Sequence, residues 1–355
     1  MTSLFHLVFF FLSLCIWSTS TSAGEHPLAW KSYLIRYWNK EVNTTNAIPN
    51  FLLSKASPLS AADSASFSKL AAQNVLSFHL PAFCASANLL CFPDLASNIT
   101  SYRQDAIINY RPRFLYVKTY GNHKGSTATG DSVKKRVEPG TFFRVSMLKK
   151  GEVMAIPEMK DDMPKRSFLP RTMLSKLPLS TLELKKFFRV EDNSTMEAII
   201  VKSLSECERA PSQSETKRCV GSAEDMIDFA VLVLGRNVAV RSTENVNGSK
   251  QNIMIGSVKE IDSGEEMQQA VSCHQSLFPY LLYYCHSVPN VQVYEVDMLD
   301  LNSKAKINHG VAICHMNTSD WSPSHEAFLA LGSGPGRIEV CHWIYENDMT
   351  WTVAN

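Results

Sequence analysis

The chain carries almost no charge surplus: 35 Lys and Arg stand against 34 Asp and Glu, a formal net charge of +1 over 355 residues. Nucleic-acid binding draws on a basic stripe with aromatics between the cations. No such stripe is present, and the run Lys134-Lys135-Arg136 reads as a solvated loop. Long apolar runs are also missing beyond the first residues, so no later segment suits a bilayer span of about 20 residues. The common catalytic signatures are absent too. His325-Glu326 is followed by Ala-Phe-Leu, without the second histidine of a zincin helix. Gly332-Ser333-Gly334-Pro335-Gly336 is neither a phosphate-cradling loop nor a nucleophile elbow, and reads as a turn before the last strand. Asp161-Asp162 offers two carboxylates, but adjacent side chains diverge, whereas glycoside hydrolysis needs two that flank one bond. A polar loop is the better reading there.

Hydrophobic content of 45% describes an ordinary globular protein. Leu4 to Trp17 is apolar and leads to Thr21-Ser22-Ala23, the pattern of a secretory leader over 1–23, although no Lys or Arg precedes it. Its removal takes Cys15 away and leaves eight of the nine cysteines, an even set suited to disulfides outside the cell. Cys84, Cys91, Cys207, Cys219, Cys273, Cys285, Cys314 and Cys341 are the candidates. Sequons at Asn43, Asn98, Asn193, Asn247 and Asn317 agree with secretion. The expected product is soluble, with no membrane anchor after leader removal.

Residues 24–96 read as a short helical segment. The aromatic, basic stretch Trp30 to Trp38 either presents a carbohydrate or peptide surface or packs on its own domain. Ser60, with Asp63 three residues on, opens an amphipathic helix predicted over Ala61 to Leu76, and Pro81 closes it. Cys84 and Cys91 follow in an apolar loop as a local disulfide pair. Residues 97–140, rich in Tyr, Lys, Gly, Ser and Thr, read as a flexible linker. From Phe142 the pattern turns β-rich. Strands are predicted at Val153 to Ile156, Ala198 to Lys202, Phe229 to Leu234, Ile253 to Val258 and Val291 to Val296. Helices are predicted at Pro178 to Phe188 and Ser222 to Asp228, and Cys207 and Cys219 flank a polar loop. The fold class expected is α+β: a short helical segment and flexible linker ahead of a β-rich domain over 141–355.

The last quarter holds a Cys-His dipeptide four times: Cys273-His274, Cys285-His286, Cys314-His315 and Cys341-His342. Adjacent residues on a strand point to opposite faces. In Val311-Ala312-Ile313-Cys314-His315, Val311 and Ile313 share the face of His315; Ile338 and Val340 likewise share the face of His342. Both segments therefore put His with the β-branched residues and Cys opposite. The segment from Gln275 to Tyr284, broken by Pro279, reads equally as strand or helix. Four cysteines brought together outside the cell would form two disulfides, each worth about 2–4 kcal/mol. His274, His286, His315 and His342 would form a metal site, or else be semi-buried imidazoles bonded to backbone. Neutral imidazole suits copper first and zinc second; zinc held through reduced thiolates comes third.

These four pairs at these spacings resemble the plant BURP domain over residues 141 to 353. Phe142-Phe143, Phe168-Leu169-Pro170-Arg171, and Glu206-Cys207-Glu208 leading to Lys217-Arg218-Cys219 carry the same likeness. Upstream, Tyr33 to Lys40, Phe51 to Ser60 and Leu80 to Cys84 are similar to the non-catalytic β subunit of polygalacturonase, with one degenerate copy of its repeats around Tyr116 to Gly130. The resemblance implies a secreted, wall-associated protein that binds or localises a polygalacturonase, or pectin, without hydrolysing it. The Gly-His-Gly motif of the hydrolase itself is absent from this chain. Some BURP proteins are copper-dependent autocatalytic peptide cyclases. That likeness would make the four histidines copper ligands and Tyr110, Tyr116 and Tyr120 the substrates, in a linker that has no Trp.

Overall fold

The computed structural model describes residues 29–91, 137–178, 180–245, 250–261 and 269–354. The leader over 1–23, residues 97–136 of the linker with Tyr110, Tyr116 and Tyr120, and the sequons Asn98 and Asn247 lie outside the described residues.

Among the N-terminal helices, α1 (Ala29–Glu41) is followed by the single turn α2 (Asn50–Leu53), then α3 (Ala61–Ala72) and α4 (Leu80–Ala87). Ser60 caps α3 by accepting the Asp63 N–H, and its hydroxyl donates to the Asp63 carboxylate at 2.8 Å. That helix stops earlier than expected: Asn74 takes a left-handed φ of 57°, which breaks the repeat before Leu76. Pro81 does not close it but sits in the first turn of α4, where its missing N–H costs nothing. Cys84 consequently lies within a helix rather than a loop.

Downstream come β1 (Phe142–Phe143), β2 (Val153–Ala155), α5 (Arg171–Leu174), α6 (Thr181–Phe187), α7 (Thr195–Glu208), β3 (Thr216–Val220) and α8 (Ala223–Leu234). The strands expected at Ala198 to Lys202 and Phe229 to Leu234 are helical, inside α7 and α8. Both runs are short, apolar and rich in β-branched residues, so composition alone favours strand. Caps decide otherwise: the Ser194 hydroxyl accepts the Glu197 N–H, and Ser222 accepts that of Asp225. Burial follows the helical period, with Ile199, Ile200 and Leu204 inside while Val201 is 45% exposed.

The remaining strands are β4 (Val238–Arg241), β5 (Glu244–Asn245), β6 (Asn252–Ile261), β7 (Val271–Ser276), β8 (Leu282–Ser287), β9 (Val291–Leu299) and β10 (Lys306–His315), then α9 (Glu326–Leu331), β11 (Val340–Ile344) and β12 (Met349–Val353). They form two antiparallel sheets. A seven-stranded sheet runs β1-β11-β10-β9-β6-β2, with β5 also on β10; a five-stranded sheet runs β3-β8-β7-β12-β4. The chain passes between the two sheets repeatedly, the last time at the turn between β11 and β12.

The N-terminal helices share cores with these sheets. Leu34 and Trp38 of α1 pack with Met226, Ile227 and Phe229 of α8 and with Trp351 of β12, the two indoles 6.0 Å apart. Phe67 and Phe83 join Leu184, Ile200, Phe278 and Tyr280. Backbone bonds reinforce the docking: Leu90 N–H to Pro279 at 2.7 Å and Phe168 N–H to Lys55 at 2.9 Å. Of the two readings of the aromatic stretch, Leu34 and Trp38 take the second and pack on their own protein.

Candidate metal centre

Strand pairing builds the site. The segment from Gln275 to Tyr284 completes a hairpin: β7 and β8 pair with Cys273 opposite Cys285, His274 opposite Tyr284 and Ser272 opposite His286. β10 and β11 pair with Cys314 opposite Cys341, Ile313 opposite His342 and His315 opposite Val340. In each ladder the cysteines face one another and are bonded, Cys273–Cys285 and Cys314–Cys341. The histidines then fall diagonally across the opposite face.

The cysteine faces enter separate apolar cores. Cys273 and Cys285 pack with Val240, Tyr283 and Trp351, whereas Cys314 and Cys341 pack with Ile253, Met298 and Trp343. Outside the ladders, Cys84–Cys91 and Cys207–Cys219 are also disulfides, the latter joining the last turn of α7 to β3. All eight cysteines among the described residues are thereby spent as staples, and none of these remains as a thiolate ligand.

The imidazoles converge across the gap between the sheets. Ring centroids lie 5.5 Å apart for His274 and His286, 6.2 Å for His274 and His342, and 5.4 Å for His315 and His342. His315 and His342 bring their Nε2 atoms within 3.3 Å. His274, His315 and His342 are buried, and His286 keeps 20% of its side chain exposed.

What lies behind each ring fixes its tautomer. His274 Nδ1 faces an Asp348 carboxylate oxygen at 3.0 Å, His286 Nδ1 faces Glu215 at 3.4 Å, and His342 Nδ1 faces the Trp343 carbonyl at 3.2 Å. Carboxylates and carbonyls only accept, so Nδ1 of each of these rings carries a proton, and in the neutral form the lone pair lies on Nε2. His315 differs. It donates Nε2–H to His342, which leaves its own Nδ1 buried with no hydrogen-bond partner.

Burial favours the neutral rings. It lowers the pKa of His286 despite the opposing pull of Glu215, and lowers His315 to about 3 with the neighbouring imidazoles adding to the shift. His342 is held well below its ordinary value for the same two reasons. Neutral imidazole is the form that ligates.

In chemistry the donor set suits a metal ion: three rings have Nδ1–H anchored on oxygen, the arrangement that supports metal-bound histidine, although His342 Nε2 accepts from His315 here. Imidazoles sharing one tetrahedral ion have centroids roughly 5 Å apart, given metal–nitrogen bonds of about 2.0 Å. Two of the three separations approach that value and the third is longer. Among the described residues, no group of three or more His, Cys, Asp or Glu side chains is arranged so that it could hold a metal ion as it stands.

The other sequence candidates fall elsewhere. Asp161 is half-buried and accepts the Met163 N–H, while Asp162 is exposed, so the two acids do diverge. His325 caps α9 by accepting the Ala327 N–H; buried against Trp321, it has its pKa lowered to about 4. Asn43, Asn193 and Asn317 are exposed. Glu215 and Asp348 escaped the sequence reading because each meets its histidine only through a distant strand pairing or a sheet-crossing turn.

Comparisons with known proteins agree with this architecture. The family model described as the BURP domain matches residues 141–353. The chain is 62% identical over 257 residues to "Polygalacturonase-1 non-catalytic subunit beta" of Solanum lycopersicum, covering 68% of this chain and 41% of that protein. It is 65% identical over 229 residues to "Polygalacturonase 1 beta-like protein 3" of Arabidopsis thaliana, covering 64% and 36%. It is 41% identical over 341 residues to "BURP domain-containing protein 16" of Oryza sativa subsp. japonica, covering 94% and 92%. The chain thus spans about two fifths of the polygalacturonase-related proteins' length and nearly all of the rice protein's. With the four Cys-His pairs paired in two ladders and the matched region spanning both sheets, the chain belongs to the BURP domain family.

Proposed function

We propose that this protein is a secreted accessory protein of the plant cell wall, of the polygalacturonase β-subunit type. In this reading it binds or localises a polygalacturonase, or its pectin substrate, and has no hydrolytic activity of its own. The observation that carries the reading is the 62% identity to a protein named for that non-catalytic role. Four disulfides suit the oxidising extracellular space, and no helix among the described residues is long and apolar enough to cross a membrane. The test is recovery of the protein from wall extracts with a polygalacturonase, and binding of the purified protein to that enzyme or to pectin. Failure of both interactions contradicts the reading.

The same proposal assigns His274, His286, His315 and His342 to one metal ion, copper before zinc. The support is the all-nitrogen donor set with its anchored Nδ1–H groups. The chain's part is to anchor Nδ1–H of His274, His286 and His342 on oxygen and to bury His274, His315 and His342 away from water. The expected result is about one equivalent of metal per chain in protein purified without chelators, retained at about pH 6.5 and lost only on further acidification, because burial holds His286, His315 and His342 below their ordinary values. Uptake unchanged in paired His→Ala variants contradicts this assignment.

A second reading rests on the same histidines: copper-dependent cyclisation at Tyr110, Tyr116 or Tyr120. Copper would supply the oxidative capacity when bound. The partial exposure of His286 is the feature that favours it, since that ring alone of the four opens toward solvent. Loss of two hydrogen masses in a peptide carrying one of these tyrosines, after incubation with copper in air, would support it. Unchanged masses would reject it.

A further inference from the structure

The segment closed by Cys207–Cys219 carries, just before β3, Glu215, a carboxylate whose surroundings a surface loop does not need. Its side chain is only 3% exposed. One oxygen accepts from Arg209 Nη2 at 2.7 Å and from the Tyr284 hydroxyl, and faces His286 Nδ1 at 3.4 Å. The other accepts from Arg209 Nη1 and the Ser212 N–H, each at 2.7 Å. Arg209, Ser212 and Tyr284 thus donate to both oxygens and fix this carboxylate directly behind one ring of the histidine centre.

The rest of the segment holds that anion in place. Arg209 follows α7 directly and is braced by Glu206 at 2.8 Å. Lys217 Nζ donates to the Glu206 carbonyl at 2.6 Å, and the disulfide joins this helix end to β3. β3 lies on β8 with Lys217 opposite His286, which sets Glu215 beside the ring. The Tyr284 ring covers the same imidazole at 5.0 Å.

We infer that this disulfide-closed segment is the outer arm of the histidine centre, with Glu215 the positioning residue that fixes His286 as its Nδ1–H tautomer and turns Nε2 inward. Asp348 plays the same part for His274 from the turn between β11 and β12. The inference rests on the four-histidine metal reading for its purpose but not for its geometry. Carboxylates behind ligating histidines orient the ring and raise its basicity, and their loss typically weakens metal binding about tenfold to a hundredfold.

The test uses the full chain, unloaded and then titrated with Cu(II) and Zn(II). In unloaded native protein, proton–nitrogen correlation spectra should show His286 protonated at Nδ1. In E215Q the Nδ1–H share should fall, and affinity for either ion should drop about tenfold to a hundredfold with the far-UV circular dichroism retained. E295Q removes a partly buried ion pair, with Arg241 at 2.8 Å, that the histidine centre does not use, and should leave tautomer and affinity unchanged. An Nε2–H tautomer of His286 in the native protein overturns the inference without any variant. So does an equal effect of E295Q and E215Q, or an unchanged tautomer in E215Q. If native protein binds neither ion while E215Q still shifts the tautomer, the metal reading fails and the positioning role stands.

Discussion

The two Cys-His ladders share one backbone plan and differ in what surrounds it. In both, directly opposed cysteines form a disulfide on one face and the histidines sit diagonally on the other. The β7–β8 ladder is a hairpin joined through residues 277–281, and its two rings are backed by the carboxylates of Asp348 and Glu215. The β10–β11 ladder is joined through residues 316–339, which include α9; there His342 leans on a backbone carbonyl and His315 on His342. Pairing alone thus supplies the imidazole array. The orientation of each ring is a separate matter, settled by residues that the Cys-His pattern does not contain.

Breaking the disulfides one ladder at a time should give the largest effect. The entropy of loop closure predicts a loss of about 3 kcal/mol for C273A/C285A and roughly 3.5 kcal/mol for C314A/C341A. The order follows the sequence separations of 12 and 27. Urea unfolding of the two double variants measures this. A larger loss from the hairpin would mean that native packing, rather than chain closure, governs the staples.

Next in size is D348N. One Asp348 oxygen accepts from His274 Nδ1–H and the other from the Gln275 N–H at 2.9 Å, both buried. An amide must turn its NH₂ toward one of those donors, which costs about 1–3 kcal/mol. In the second ladder the acceptor behind His342 Nδ1 is main chain. Unfolding of D348N beside the native protein tests the asymmetry, and an unchanged midpoint would erase it.

Much of this arrangement was legible from local sequence. The shared parity of Val311, Ile313 and His315 placed cysteines and histidines on opposite faces, and both ladders show it. Ser60 and Asp63 marked a helix start that the structure has. The misread elements were the apolar runs inside α7 and α8, where the period was too short to separate strand from helix and the deciding Ser caps lay upstream. The anchors Glu215 and Asp348 carry no local signal: one is delivered by β3 pairing with β8, the other by the passage between sheets. Such contacts belong to topology, which a single sequence does not print.

The smallest expected effect concerns pH in the metal-free protein. His315 and His342 have folded pKa values below the unfolded value of about 6.5, chiefly through burial, so below that pH the unfolded chain binds more protons. Stability is therefore present above about pH 6.5 and falls on acidification, by up to about 1.4 kcal/mol per group per pH unit. In the β7–β8 ladder the Glu215 carboxylate partly offsets the burial of His286. H315L should accordingly flatten the slope between pH 6.5 and 5 more than H286L does. Denaturant unfolding across that range decides the order, and equal slopes would remove the electrostatic difference between the ladders.

The central claim is that cysteines staple the sheets while histidines alone hold the metal. X-ray absorption at the metal edge, on protein purified in air without chelators, tests it most directly. The account predicts a copper or zinc shell of nitrogen only, near 2.0 Å and with no sulfur. A sulfur shell at about 2.3 Å would contradict it, and so would the absence of bound metal.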